Sequence, residues 1–205
     1  MSTRGLEIVV ESGGVNVRPI TVVSGLPRSG TSMMMRMLEA GGLELLTDGV
    51  RQADVDNPKG YYEHESVKGL HRGQNDWLSE ARGKAVKIVS PLLRFLPDEH
   101  TYQIILMQRK MEEVLASQRV MLSHRGETTD RYGDRKMASV YEDDLRQIEL
   151  WMENHANVRA LFVSYNGLLV HPQPELHRIS EFLGRALDVD AMASVIETSL
   201  YRQRR

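Results

Sequence analysis

Apolar residues follow two patterns along the 205-residue chain: short β-branched runs, and longer stretches with helical spacing. Ile20-Thr21-Val22-Val23 is strand-sized and stops at Gly25-Leu26-Pro27, as a buried strand entering a loop does. From Ser32 to Ala40, Met34, Met35 and Leu38 recur on one helical face, and Gly41-Gly42 closes the segment. Thr47 to Tyr61 is polar and carries the turn signal Asn57-Pro58-Lys59-Gly60. Glu63 to Ala81 reads as helix through Val67, Leu70, Trp77 and Leu78. Ala85–Val89 and Tyr102–Met107 read as a second and third strand, with one helical turn at Pro91–Leu96 between them. Lys110–Leu122 places Met111, Val114, Leu115, Gln118, Met121 and Leu122 at one-face spacing. Ser123 to Lys136, charged and containing Gly and Asp, reads as a mobile loop. A long helix over Ser139–His155, a strand at Val158–Val163 and a helix over Glu175–Leu183 complete the pattern.

Strands alternating with helices predict an α/β fold, here a three-layer α/β/α arrangement around a mostly parallel sheet of four to five strands. The length predicts a single domain over 1–205, with 1–17 as an N-terminal extension and 123–137 as a candidate lid. Ligands of such sheets lie beyond the carboxyl ends of the strands, which points to Gly25–Ser32, Ser90, Arg109 and Tyr165.

Composition narrows the chemistry. Lys and Arg number 26 against 28 Asp and Glu, a net charge of −2, so a general basic field for nucleic acid is not expected. There is no cysteine, which excludes disulfides, thiolate metal sites and cysteine nucleophiles. No signal-like leader and no apolar run near the ~20 residues of a membrane span accompany it, and the chain is expected to be cytoplasmic. The seven histidines form no H-E-x-x-H spacing, and His64 and His71 are too loosely placed to predict a metal site.

The most informative segment is Thr21-Val22-Val23-Ser24-Gly25-Leu26-Pro27-Arg28-Ser29-Gly30-Thr31-Ser32. A strand, a glycine-containing loop and a helix start follow one another, so loop N–H groups and the helix dipole form an anion cradle. The spacing is that of an ATP-binding P-loop, except that Thr31 stands at the lysine position and the cation is Arg28 within the loop. An arginine there can still fork onto an anionic group.

Leu26-Pro27-Arg28-Ser29-Gly30-Thr31-Ser32 resembles the 5′-phosphosulfate loop of sulfotransferases that use 3′-phosphoadenosine 5′-phosphosulfate (PAPS). A second likeness is a strand ending in Arg109 with Ser117 eight residues later, about two helical turns on; in that family the pair binds the 3′-phosphate. Read alone, Arg109 would form an ion pair with Glu112 or Glu113, and Ser117 would bond back to its own helix. A third is Phe162-Val163-Ser164-Tyr165-Asn166-Gly167-Leu168-Leu169 with Ile179-Ser180-Glu181-Phe182-Leu183-Gly184, read chiefly as core, with Asn166-Gly167 at the usual acidic pair. Leu200-Tyr201-Arg202 is similar to a terminal segment of bacterial relatives, where Arg202 would close over the phosphates; a frayed terminus is the plainer reading.

The resemblance implies transfer of a sulfonate from PAPS, as co-substrate, to a hydroxyl or amine of an unidentified acceptor, without a metal. It implies cofactor contacts from Arg28, Ser29, Gly30, Thr31, Ser32, Arg109, Ser117 and Arg202, with Arg28 and Lys87 stabilising the transferring group. Where cytosolic members have a basic histidine two residues after the lysine, this chain has Val89. Glu63, after Asn57-Pro58-Lys59-Gly60-Tyr61-Tyr62, is the expected substitute base, with His64 as the alternative. Ser90 is a further pocket candidate, whereas Tyr61, Tyr62 and Trp77 are core aromatics by default. A kinase or NTPase with a degenerate P-loop, or a non-catalytic nucleotide-binding protein of the same fold, are the rivals. Homodimers are common among soluble proteins, but no interface is readable in the sequence.

Overall fold

The β-branched and apolar runs are too short for helices and too continuous for half-exposed strands, so they belong in a sheet covered on both faces. In the computed structural model, which describes residues 18–127 and 133–196, they form β1 (Ile20–Gly25), β2 (Ala85–Lys87), β3 (Tyr102–Gln108) and β4 (Val158–Ser164). The strands lie in the order β2-β1-β3-β4 and every pair is parallel. Val23 is level with Lys87 on one side and Ile105 on the other, so β1 carries the register for the whole ligand edge.

Alternation along each strand divides the core into two layers. Val23, Ile105, Met107 and Val163 face one cluster. It is completed by α1 (Thr31–Ala40), α4 (Tyr165–Val170), α5 (Pro172–Leu183) and α6 (Val189–Ser194), through residues such as Met34, Leu38, Leu168, Ile179 and Met192. Ile20, Val22, Ile104 and Leu106 face the other, covered by Val67, Leu70, Leu78 and Leu93 and by Ile148 and Met152 of α3 (Asp134–Glu153). Met34, Met35, Met37 and Leu38 of α1 are fully buried; each such side chain contributes roughly 1.5–3 kcal/mol through removal from water. The three-layer α/β/α expectation therefore holds, with four strands among the described residues.

Besides the short helices α4 and α6, which the sequence reading did not assign, the structure departs from that reading in three segments. The continuous helix expected over 63–81 is two 3-10 segments, Glu65–Arg72 and Asp76–Ser79. Gly73, at φ 74°, ends the first, and the three-residue spacing of Val67 and Leu70 suits a 3-10 helix, whose side chains eclipse every three residues. Strand β2 ends at Lys87 rather than Val89, although the Ile88 N–H still donates to the Val23 carbonyl at 3.0 Å. The 123–137 stretch is partly helical: α2 (Met111–His124) runs into it and α3 starts at Asp134. An Arg119–Asp134 ion pair joins these two helices, and pairing of this kind is invisible to a reading that takes charge density as a loop signal. Residues 128–132, the extension 1–17 and Arg202 lie outside the described residues. Among the described residues no helix is long and apolar enough to cross a membrane.

The β1–α1 connection is compressed against its neighbours. Gly25 sits at φ 146°, and a Cβ there would lie 2.6 Å from Ser29 Oγ and 2.7 Å from the Met107 carbonyl. Gly30 sits at φ 100°, and a Cβ there would enter the Tyr165 ring, 2.9 Å from Cε2. Gly42 offers the control, at φ 91° with nothing within 4 Å of an added Cβ. Gly42→Ala is therefore expected to cost only the backbone strain, about 1 kcal/mol. Gly30→Ala adds the steric clash and is expected to cost about 3 kcal/mol. Urea denaturation of the two variants measures the difference.

Candidate functional site

A cleft of about 420 Å³ opens over the carboxyl ends of β1, β2 and β3, within the range of about 300–1,000 Å³ usual for small-molecule sites. Its floor is the β1–α1 loop. Gly30 is the N-cap of α1 and no side chain caps the helix, so the orphan N–H groups of the first turn are available to an anion. Gly30, Thr31 and Ser32 line the cleft. Ser29 does not: its N–H donates to the Leu26 carbonyl at 3.1 Å and its Oγ is buried without a hydrogen-bond partner. Ser29 thus braces the loop from beneath.

Arg28 adopts φ 70°, unusual for a residue with a Cβ. Its Nε donates to Ser117 Oγ at 2.9 Å and its Nη2 to the Asp56 carbonyl at 3.0 Å. Burial pulls its pKa below the ordinary arginine value, opposed by Tyr61 and Asp56. The guanidinium nevertheless stays charged.

Lys87 ends β2 with its side chain only 6% exposed. Its Nζ donates to the Tyr61 carbonyl and, at 3.3 Å, to Ser32 Oγ. It lies 3.3 Å from Glu63 Oε1. Burial lowers its pKa from 10.5 to about 8, while Glu63 pulls the other way. Ser32 Oγ also donates to the Tyr61 carbonyl at 3.3 Å and accepts from Asn57 Nδ2 at 3.0 Å. Glu63 in turn accepts from Arg51 Nη1 at both oxygens, 2.9 and 3.1 Å. Arg51 stacks on Tyr61, 3.3 Å from its ring centroid.

Arg109 follows β3 and is held on three sides. Nε bonds Glu113 Oε2 at 2.9 Å, Nη1 donates to the Arg28 carbonyl at 3.0 Å, and the guanidinium lies 4.5 Å over the Tyr165 ring. Glu113 is 1% exposed and its other oxygen accepts from Asn166 Nδ2 at 3.0 Å. The ion pair with Glu113 and a place in the cleft are therefore compatible, because the pair is buried beneath the cleft rather than spread on the surface. Ser117, two turns along α2, lines the same cleft and reaches Arg28 rather than bonding back to its helix.

The family model described as a sulfotransferase domain matches residues 18–205. The chain belongs to the sulfotransferase domain family. Among solved structures, it is similar to the sulfotransferase domain of the Synechococcus PCC 7002 olefin synthase. The match has 17% identity and a TM-score of 0.52 and covers 90% of this chain and 79% of that one. It is also similar to a sulfotransferase of Mycobacterium tuberculosis H37Rv, with 17% identity, a TM-score of 0.55 and 91% and 74% covered. At this identity the two likenesses show a common fold. No curated protein matches the sequence.

Within this sulfotransferase domain, several residues singled out in the sequence lie elsewhere. His64 stacks on Trp77, 5.4 Å between ring centroids, and neither lines the cleft. Tyr62 packs against the core cluster that holds α1, whereas Tyr61 lines the cleft. Ser90 is fully buried and donates to Asp144 Oδ2 at 2.7 Å. Conversely, Arg51, Asp56 and His124 line the cleft without having been expected there. His124 Nδ1 lies 2.8 Å from Asp56 Oδ1, a contact between a helix end and a polar loop with no shared spacing to reveal it. Asn57 was legible only as a turn residue. Among the described residues no cluster of three or more His, Asp or Glu is placed to hold a metal ion.

The buried lysine sets a pH dependence of stability. A lysine whose folded pKa lies below its unfolded value binds fewer protons when folded, so stability rises with pH between the two values. For Lys87 that window runs from about 8 to 10.5, and the rise is of order 3 kcal/mol. Urea unfolding at pH 7.5 and pH 9, below the range where the tyrosines with raised pKa begin to lose stability, is expected to show a gain of about 1 kcal/mol in the wild type that is absent in Lys87→Met.

Proposed function

We propose that this domain transfers a sulfonate group from PAPS to a hydroxyl or amine of an acceptor. The observation that carries the reading is the convergence of Arg28, Ser32 and Lys87 on the uncapped start of α1, with Arg109 and Ser117 beside them. In this reading the N–H groups of Gly30–Ser32 and the Arg28 guanidinium hold the 5′-phosphosulfate, and Arg109 and Ser117 hold the 3′-phosphate. Both anionic ends of one nucleotide then fit a single cleft whose floor is a helix N-terminus.

The acceptor oxygen or nitrogen attacks sulfur in line with the bridging oxygen. The bond between sulfur and that oxygen breaks, 3′-phosphoadenosine 5′-phosphate leaves, and the acceptor's proton passes to Glu63. Charge gathers on the leaving phosphate, where in this reading the Arg28 and Lys87 cations stabilise it. The cleft lining also includes the exposed apolar side chains of Val89 and Val120; in this reading Val89, two residues beyond Lys87, helps exclude water around the attacking group.

A kinase or NTPase reading lacks a lysine at the helix start, where Thr31 stands. Calorimetric titration with 3′-phosphoadenosine 5′-phosphate decides between them, with ATP–magnesium as the control. Micromolar affinity, roughly −8 kcal/mol, that exceeds the ATP affinity is the expected result. Ser117→Ala is expected to weaken it about tenfold, and Arg109→Ala to abolish it. Equal binding of ATP would remove the sulfonate-donor assignment.

A further inference from the structure

Two cations share one carboxylate at the mouth of the cleft. Arg51 Nη1 reaches both oxygens of Glu63, and Lys87 Nζ lies 3.3 Å from Oε1. The cations differ in what else holds them. Arg51 stacks on Tyr61, whose hydroxyl donates to both Asp54 oxygens at 2.8 and 2.7 Å. Arg51, Asp54, Tyr61 and Glu63 are therefore one local unit within twelve residues of sequence distance. Lys87 comes from the sheet; its Nζ lies 5.8 Å from the Tyr61 ring centroid, against 3.3 Å for the Arg51 guanidinium, and it bonds the Tyr61 carbonyl and Ser32 Oγ at the uncapped helix start. An anion arriving at that helix start competes with Glu63 for Lys87. It does not compete in the same way for Arg51, which is seated on an aromatic ring.

We infer that Lys87 is a transferable cation that exchanges Glu63 for the donor's phosphosulfate when the donor binds, leaving the Glu63 carboxylate, kept in place by Arg51 as a positioning residue, with an oxygen open to the acceptor's proton. The inference rests on the donor reading above. It makes Glu63 an opponent of donor binding and makes the base available only once the donor is seated. The donor therefore binds first and the acceptor second.

The charged groups around Lys87 act consistently with this exchange. Glu63, from the polar segment before the first 3-10 helix, raises its pKa; Arg51 from the same segment and Arg28 from the β1–α1 loop lower it; burial holds it at about 8. At pH 8 about half of the lysine is neutral, and a phosphate oxygen beside it draws a proton on.

The test is calorimetry of the full chain with 3′-phosphoadenosine 5′-phosphate. At pH 7, Glu63→Gln is expected to bind about three- to tenfold more tightly than the wild type. Unchanged or weaker binding by the folded variant overturns the exchange, since a carboxylate that merely props up Lys87 would be missed by the donor. The second measurement needs no variant: at pH 8, binding to the wild type should take up about half a proton, read from titrations in buffers of different ionisation enthalpy. Binding without proton uptake overturns it. Arg51→Gln is expected to weaken binding about threefold in the wild type and to have little effect in the Glu63→Gln background. An equal loss in both backgrounds overturns the positioning role, because Arg51 would then act on the nucleotide directly. No binding by the wild type would overturn the donor reading, and this inference with it, whereas binding without the Glu63→Gln gain removes the inference alone.

Discussion

A charged lysine at the end of a buried strand is the constraint around which the cleft is arranged. Lys87 has its ammonium almost wholly removed from water, and an ion so placed costs several kcal/mol unless its hydrogen bonds are made by fixed partners. Those partners come from three separate parts of the chain: Ser32 at the start of α1, the Tyr61 carbonyl, and Glu63. Satisfying one charge therefore draws the polar segment before the first 3-10 helix down onto the β1–α1 loop. Asn57 reinforces the seam through Ser32, and Arg28 reinforces it through the Asp56 carbonyl.

The other half of the cleft is built on the same logic. Arg109 stands over Tyr165 and on Glu113, and Glu113 is completed by Asn166. Tyr165 also receives the backbone of Gly30 at a distance that leaves no room for a side chain. The loop, the arginine that follows β3 and the tyrosine that opens α4 are thus in mutual contact. A buried pair of this kind adds little net stability, but removal of one partner leaves the other charge stranded. Its value lies in fixing the arginine where the nucleotide's far phosphate is proposed to sit.

Strand positions, the parallel sheet and the helix after the first loop were legible because each is written in local spacing: apolar and β-branched strands of three to seven residues, and methionines and leucines on one helical face. The 63–81 segment was misread because the three-residue spacing of Val67 and Leu70 suits an α-helix and a 3-10 turn alike, and Gly73 with its left-handed backbone ends the first segment before the one that carries Leu78. Only the ends of the charged 123–137 stretch were misread, because a helix end stabilised by a partner on another helix has the same composition as a loop.

The sequence alone therefore determined which residues stand at the carboxyl edge of the sheet: the Arg28–Ser32 loop follows β1, Lys87 ends β2, and Arg109 follows β3 with Ser117 two turns along α2. Tertiary structure alone decided what those residues do to one another. Arg51 lies twelve positions from Glu63, Arg28 eighty-nine from Ser117, and His124 sixty-eight from Asp56. No local rule relates such residues, because their pairing is set by how buried charges find partners once the sheet has brought its ends together.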